Sequence, residues 1–257
     1  MSRARRWIAR VSIALVAVMG LLAAPFVAAS WGLAPIADGQ GPLAGVRTVK
    51  LGFVSAFVLD AGGGRAVLVD AGADRAGVAL LAALRAAGYG PDAVLAVLLT
   101  HGHGDHIAAA PLFRSAEIVA LEQERALVEG AVTARSPMAR FSRAKPTGVR
   151  VTRLARDGEV LRYGSLEVRV FAIRGHTEGS AAYLARDVLF VGDAASATTD
   201  HRARGPIWMF SEDTDVGAAS LRTLAGRLRR EGHSVRAMAP AHSGPLMGAV
   251  LEALTAL

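Results

Sequence analysis

Residues 98 to 110 read LLTHGHGDHIAAA, and within them three histidines and an aspartate fall in six residues, His101, His103, Asp105 and His106. The whole chain holds only seven histidines, so this concentration constrains it more than any other feature. The run AVLAVLL that precedes it reads as a buried strand, which places the imidazoles at the strand's C-terminal end, against a core. Gly102 and Gly104 let the backbone turn tightly enough to aim neighbouring side chains inward. Imidazole and carboxylate are the usual ligands of zinc and similar divalent ions. A polar turn with exposed histidines is the alternative, and it requires that nothing further along the chain answer the motif.

Three segments do answer it. His176 in RGHTEGSAAYL, Asp193 in LFVGDAAS and His242 in APAHSGP each follow a strand-like run and stand beside a glycine or another small residue. Ligands drawn from the ends of several strands are how a layered α/β scaffold builds a rigid site. Five histidines and two aspartates suit two adjacent metals that share one carboxylate, with an open position left for water.

The rest of the chain fits such a scaffold. An apolar fraction of 52% over 257 residues supports a sizeable core. The formal charge of +7 is partly local, because Arg3, Arg5, Arg6 and Arg10 precede the first acidic residue, Asp38. Without those four, 25 basic residues face 22 acidic ones, and no stripe of interleaved basic and aromatic residues marks a nucleic-acid partner. The absence of cysteine excludes disulfides, thiolate metal sites and a cysteine nucleophile.

Residues 1–31 have a basic head followed by an apolar run from Val11 to Ala29, which as a helix would rise about 28 Å. That is close to the thickness of a bilayer's hydrocarbon core, so the segment is expected to be a hydrophobic helix. Small residues at Val27 to Ala29 favour a cleaved signal peptide, whereas the length of the run and the flanking Trp7 and Trp31 favour a membrane anchor. Either way the remainder of the chain is exported. Residues 32–45 read as a linker, and 46–257 as the main domain.

Within that domain VKLGFVSAFVLD and RAVLVDAG read as strands, and DRAGVALLAALRAAGYG reads as a helix with a glycine stop. Further strands are expected near Val151–Leu154, Leu166–Ile173, Ala181–Leu184, Val188–Val191 and Val235–Ala239, with an amphipathic helix from about Asp213 to Arg230. The segment EQERALVEGAVTARSPMARFSRAKP reads as a polar, proline-broken helix and loop near a site mouth. Strand groups mixed with helices predict two sheets with helices packed outside.

The motif H-x-H-x-D-H, followed by G-H-T-x-G-S, then G-D and a last histidine, resembles the metallo-β-lactamase superfamily from about Val46 to Leu257. VLVDAG, with Asp70 and Gly72, matches the strand and turn that members carry before the motif. The resemblance implies a four-layered αββα sandwich with a dimetal site, most simply two Zn2+, at one edge between the sheets. It implies that His101, His103 and His176 hold the first metal, that Asp105, His106 and His242 hold the second, and that Asp193 bridges. Asp70 then orients the histidine loop from behind, the alternative being a turn cap. His201 and His233, in polar surroundings, are expected to be solvated.

Two such cations activate a bridging water and polarise the bond under attack, so hydrolysis of a small-molecule substrate is the expected chemistry, with Asp105 orienting the nucleophile and passing a proton. Class B β-lactamases lack the bridging aspartate, so Asp193 turns the reading toward the broader hydrolase group that cleaves thioesters, lactones, phosphodiesters and related ester bonds, with β-lactams as the alternative. Lactonases of this kind often carry a tyrosine three residues beyond the bridging aspartate, where this chain has Ser196. Trp208, Met209 and Phe210 either line the cleft or plug the core, and Arg202 and Arg204 either attract an anion or are solvated. A non-catalytic metal-binding membrane protein and a single-iron oxygenase are the readings from other classes.

Overall fold

The computed structural model describes residues 24–257, together with Ser12, Met19 and Gly20. Most of the expected N-terminal hydrophobic helix lies outside the described residues. Residues 24–30 are helical, and among the described residues no helix is long and apolar enough to cross a membrane.

The chain from Ala34 onward opens with β1 (Val46–Leu51), β2 (Val54–Gly62) and β3 (Arg65–Val69), and continues through helix α1 (Val78–Ala86) into β4 (Val94–Leu98). The short helix α2 (Gly104–Ile107) follows, then β5 (Glu117–Leu121), α3 (Arg125–Glu129) and β6 (Arg153–Ala155). These six strands form one sheet in sequence order, with β1, β2 and β3 antiparallel and β3 to β6 parallel.

The second half supplies β7 (Val160–Tyr163), β8 (Leu166–Ala172), β9 (Ala181–Ala185) and β10 (Val188–Gly192). It then adds a two-stranded ribbon of β11 (Ser196–Ala197) and β12 (Ala203–Arg204), helix α4 (Thr214–Arg230), β13 (Ala237–Pro240), β14 (Leu246–Met247) and helix α5 (Val250–Thr255). The second sheet has the order β14-β13-β10-β9-β8-β7.

Alternation along the strands builds the layers. In β10, Val188 and Phe190 face the first sheet, where they join Val67, Val69 and Leu98, while Leu189 and Val191 face Leu221, Leu224 and Leu228 of α4. On the far side of the first sheet, Leu68 and Val97 pack with Leu80 and Leu84 of α1. The order is therefore helix, sheet, sheet, helix. Strands covered on both faces carry continuous apolar runs, so they are legible as strands without a polar alternation.

One strand expectation is corrected. VKLGFVSAFVLD is not one strand but the facing ends of β1 and β2, joined by a turn at Gly52 and Phe53 with Gly52 at φ 77°. An apolar turn residue, Phe53, hides the break, and only the left-handed glycine permits it. The proposed linker also makes contacts, since the Ala34 amide donates to Ala197 O and Gly244 N donates to Ala34 O.

Strand directions set the location of the site. β8 is antiparallel to β9, β9 is antiparallel to β10, and β10 is parallel to β13, so β8, β10 and β13 all run the same way. Their C-terminal ends open on one edge, where β3 and β4 of the other sheet also end. Backbone bonds stitch the two sheets there, from Ala181 N to Thr100 O and from Ser55 N to Ala241 O, each 2.8 Å.

Candidate metal centre

Each of the seven expected residues lies just beyond one of those strand ends. His101 and His103 follow β4, and Asp105 and His106 stand on α2. His176 follows β8, Asp193 follows β10 and His242 follows β13. The structure brings them together in two groups, His101, His103, His176 and Asp193 in one, Asp105, His106 and His242 in the other.

Asp193 lies where the groups meet. Its Oδ2 is 3.2 Å from His242 Nε2, 3.6 Å from His176 Nε2 and 4.0 Å from His101 Nε2, while its Oδ1 is 3.2 Å from His106 Nε2. Asp105 Oδ2 is 3.3 Å from His242 Nε2 and 3.8 Å from His106 Nε2.

The outward faces of the rings fix their tautomers. His242 Nδ1 is 2.9 Å from the Phe53 carbonyl, which only accepts, so Nδ1 carries the hydrogen. Ser211 Oγ donates to Ile207 O, so it accepts from His176 Nδ1 at 2.9 Å. Asp70 Oδ2 accepts from His106 Nδ1 and from Thr100 Oγ1, each at 2.8 Å. Having donated, Thr100 Oγ1 accepts from His101 Nδ1 at 3.1 Å. In their neutral forms all four rings therefore turn an Nε2 lone pair toward the shared space. His103 is reversed, with Nδ1 3.0 Å from His176 Nε2.

This arrangement fits a divalent cation. His101 Nε2, His106 Nε2 and Asp193 Oδ1 are buried and have no hydrogen-bond partner, an arrangement that costs free energy unless another group satisfies it. The donors are nitrogen and oxygen with no sulfur, a set suited to zinc and its neighbours.

The electrostatics agree. Burial drives His101 well below the ordinary imidazole range and His176 to about 3, and burial also lowers His103. Burial opposes the charging of His106 and His242 too, but Asp193 with Asp70 raises the first, and Asp193 with Asp105 raises the second to about 10. Burial likewise works against the Asp193 carboxylate, and the positive charges on His242 and His106 hold it well below its usual range.

Asp70 is buried behind the centre with φ 59°, accepting from Thr100 N as well as from the two groups named above. His201 and His233 stay apart from the two groups, and His233 lies 3.1 Å from Glu231. The Trp208–Phe210 turn divides its roles, because Met209 is buried in the core while Trp208 is 61% exposed. Arg202 is paired with Asp200, so its charge is met locally.

Sequence reasoning missed four contributors. Thr100 and Ser211 look like ordinary polar residues, and Phe53 acts through its carbonyl while its ring stacks on His242 at 5.6 Å. The fourth, Glu124, sits in a polar stretch that reads as solvated, yet it is buried. Each role depends on at least one partner distant in sequence, Asp70 for Thr100, His176 for Ser211, His242 for Phe53, and Thr177 and Gly179 for Glu124.

The comparisons with known proteins agree with this architecture. The solved structure of a B3 metallo-β-lactamase with an active-site glutamic acid matches with a TM-score of 0.65 at 20% identity, covering 88% of each chain. The B3 metallo-β-lactamase BLEG-1 matches at 26% identity and a TM-score of 0.59, covering 79% of this chain and 93% of that one. A metallo-β-lactamase family protein of Thermus thermophilus matches at 24% identity and 0.60, covering 82% and 77%. No curated protein matches the chain in sequence. The family pattern described as the metallo-beta-lactamase superfamily matches residues 49–239, and the chain belongs to that superfamily.

Proposed function

We propose that this chain is an exported or membrane-anchored hydrolase with a dinuclear zinc centre. His101, His103 and His176 would hold one ion and Asp105, His106 and His242 the other, with Asp193 shared. The observation that carries the reading is the position of Asp193, whose two oxygens face four imidazole Nε2 atoms from both groups at 3.2 to 4.0 Å. When bound, the pair of ions supplies Lewis acidity and an activated water at neutral pH.

The residues of the chain supply the rest. Asp70, Thr100, Ser211 and the Phe53 carbonyl hold the rings in the tautomer that leaves Nε2 free. Asp105 is partly open to solvent and keeps Oδ2 beside His242 Nε2, so it is placed to take a proton at that oxygen and return it to a leaving group. Phe53, largely exposed with its ring stacked on His242, offers apolar contact at the rim.

An ester, lactone or thioester is the favoured substrate, because a shared aspartate is the feature that class B β-lactamases lack. Ser196, buried in β11, stands where lactonases often carry a tyrosine, which supports simple esters and thioesters ahead of lactones without removing the latter. The B3 enzymes among the solved neighbours favour β-lactams as the second reading. A hydrolysis screen of zinc-loaded protein against esters, thioesters, lactones, β-lactams and phosphodiesters, with and without chelator, tests the proposal. Chelator-sensitive turnover of the first group is expected, and no chelator-sensitive turnover of any substrate would sink it.

A further inference from the structure

One carboxylate outside the seven grips both histidine loops of the first group. Glu124 ends the turn Glu122–Glu124 that leads into α3, and it is buried. Its Oε1 accepts from Gly102 N at 2.7 Å and from Thr177 Oγ1 at 2.8 Å, and its Oε2 accepts from Gly179 N at 2.9 Å. Gly102 lies between His101 and His103, and Thr177 follows His176. The two loops come from different sheets, and a single side chain joins them.

The fit is close as well as bonded. A Cβ on Gly179 would overlap the Glu124 backbone nitrogen, and one on Gly102 would meet Leu127 and Val128 of α3. Both loops are therefore seated on the same turn and helix. Among the described residues no arginine, lysine or histidine pairs with Glu124, so its two oxygens are met by loop donors alone.

We propose that Glu124 is the positioning residue for the ion held by His101, His103 and His176, a role that rests on the metal centre proposed above. Its two oxygens fix the separation of the loops that carry those three rings, and ligand atoms have to be held to about 0.5 Å for a site to work. The second group depends on other supports, namely Asp70 for His106 and the Phe53 carbonyl for His242. Loss of Glu124 should therefore weaken one ion selectively. A side chain that merely stabilised the fold would weaken both ions together, or neither.

The test is a cobalt(II) titration of the full-length chain, its E124Q variant and a T177V variant, against a competing chelator. Ligand-field absorption reports the sites, and thermal melting reports the fold. The E124Q substitution keeps the shape and one acceptor oxygen, but the new amide NH2 would face the Gly179 N–H. In E124Q one cobalt should bind about 10- to 100-fold more weakly while the other keeps its affinity. T177V, which loses one of the three bonds, should show a smaller change in the same site, and it decides the question if E124Q does not fold. Two cobalt ions bound by E124Q with unaltered affinity and spectrum would overturn the role, as would equal weakening of both. A wild-type chain that takes up no cobalt overturns the metal-centre reading, and this role with it.

Discussion

Asp70 shows how much one buried carboxylate does here. It accepts three hydrogen bonds, from Thr100 N, Thr100 Oγ1 and His106 Nδ1, and so orients two of the rings, one directly and one through Thr100. Asn tolerates the left-handed backbone that Asp70 adopts, so D70N changes charge and acceptor number without straining the chain. Metal affinity should fall about 10- to 100-fold, measured by chelator competition, and unaltered affinity would remove Asp70 from the support of the centre. Asp105 should show a further effect, because besides holding the second ion it is proposed to carry the proton. D105N should lower kcat by about 10²- to 10⁴-fold with KM little altered, and full turnover in the metal-loaded variant would count against the role. Residue types and their small neighbours made the seven clustered side chains legible in the sequence. Glu124 was not legible, because its surroundings, EQERALVEG, are polar whether that residue is buried or solvated.

Elements place these residues through a few close approaches. Gly175, just before His176, has φ 129°, and a Cβ there would overlap the backbone of Gly217 in α4. Asp213 caps the same helix, accepting from Asp215 N and Val216 N, while its own amide donates to Gly175 O. The His176 loop is thus pressed against the start of a 17-residue helix. G175A should push that helix outward and cost about 1–3 kcal/mol, read as a lower urea midpoint, and an unchanged midpoint would show that the contact can relax. Most strands and the α4 helix were legible because apolar runs end at Gly or Asp turns and Asp213 marks a helix start. The β1–β2 turn was not, because Phe53 continues the apolar run through the bend.

The two sheets meet at a charged, buried edge, and acidity therefore enters the stability of the whole molecule. Burial pushes the Glu124 carboxyl up to about 7 from its ordinary 4.5, against the pull of the Gly102, Thr177 and Gly179 donors and with a further push from Glu212. Between pH 4.5 and 7 the unfolded chain releases this proton while the folded chain keeps it. Rising pH therefore favours unfolding over that window, by on the order of 3 kcal/mol for this group, and the effect levels off above it. In metal-free protein the stability of E124Q relative to wild type should rise by that amount across the window in urea unfolding. Parallel stability curves would contradict the assignment.

The clustered residues span chain positions 101 to 242, more than half of the sequence, in a chain without cysteine. No covalent bond closes that span. On the proposed reading, bound ions tie that span together where no disulfide can, and their hold is set by supply. An ion present at a hundredfold excess over its Kd contributes about 2.7 kcal/mol, and the contribution vanishes as the ion is withdrawn. The stability of the folded chain then becomes a gauge of the free metal around it.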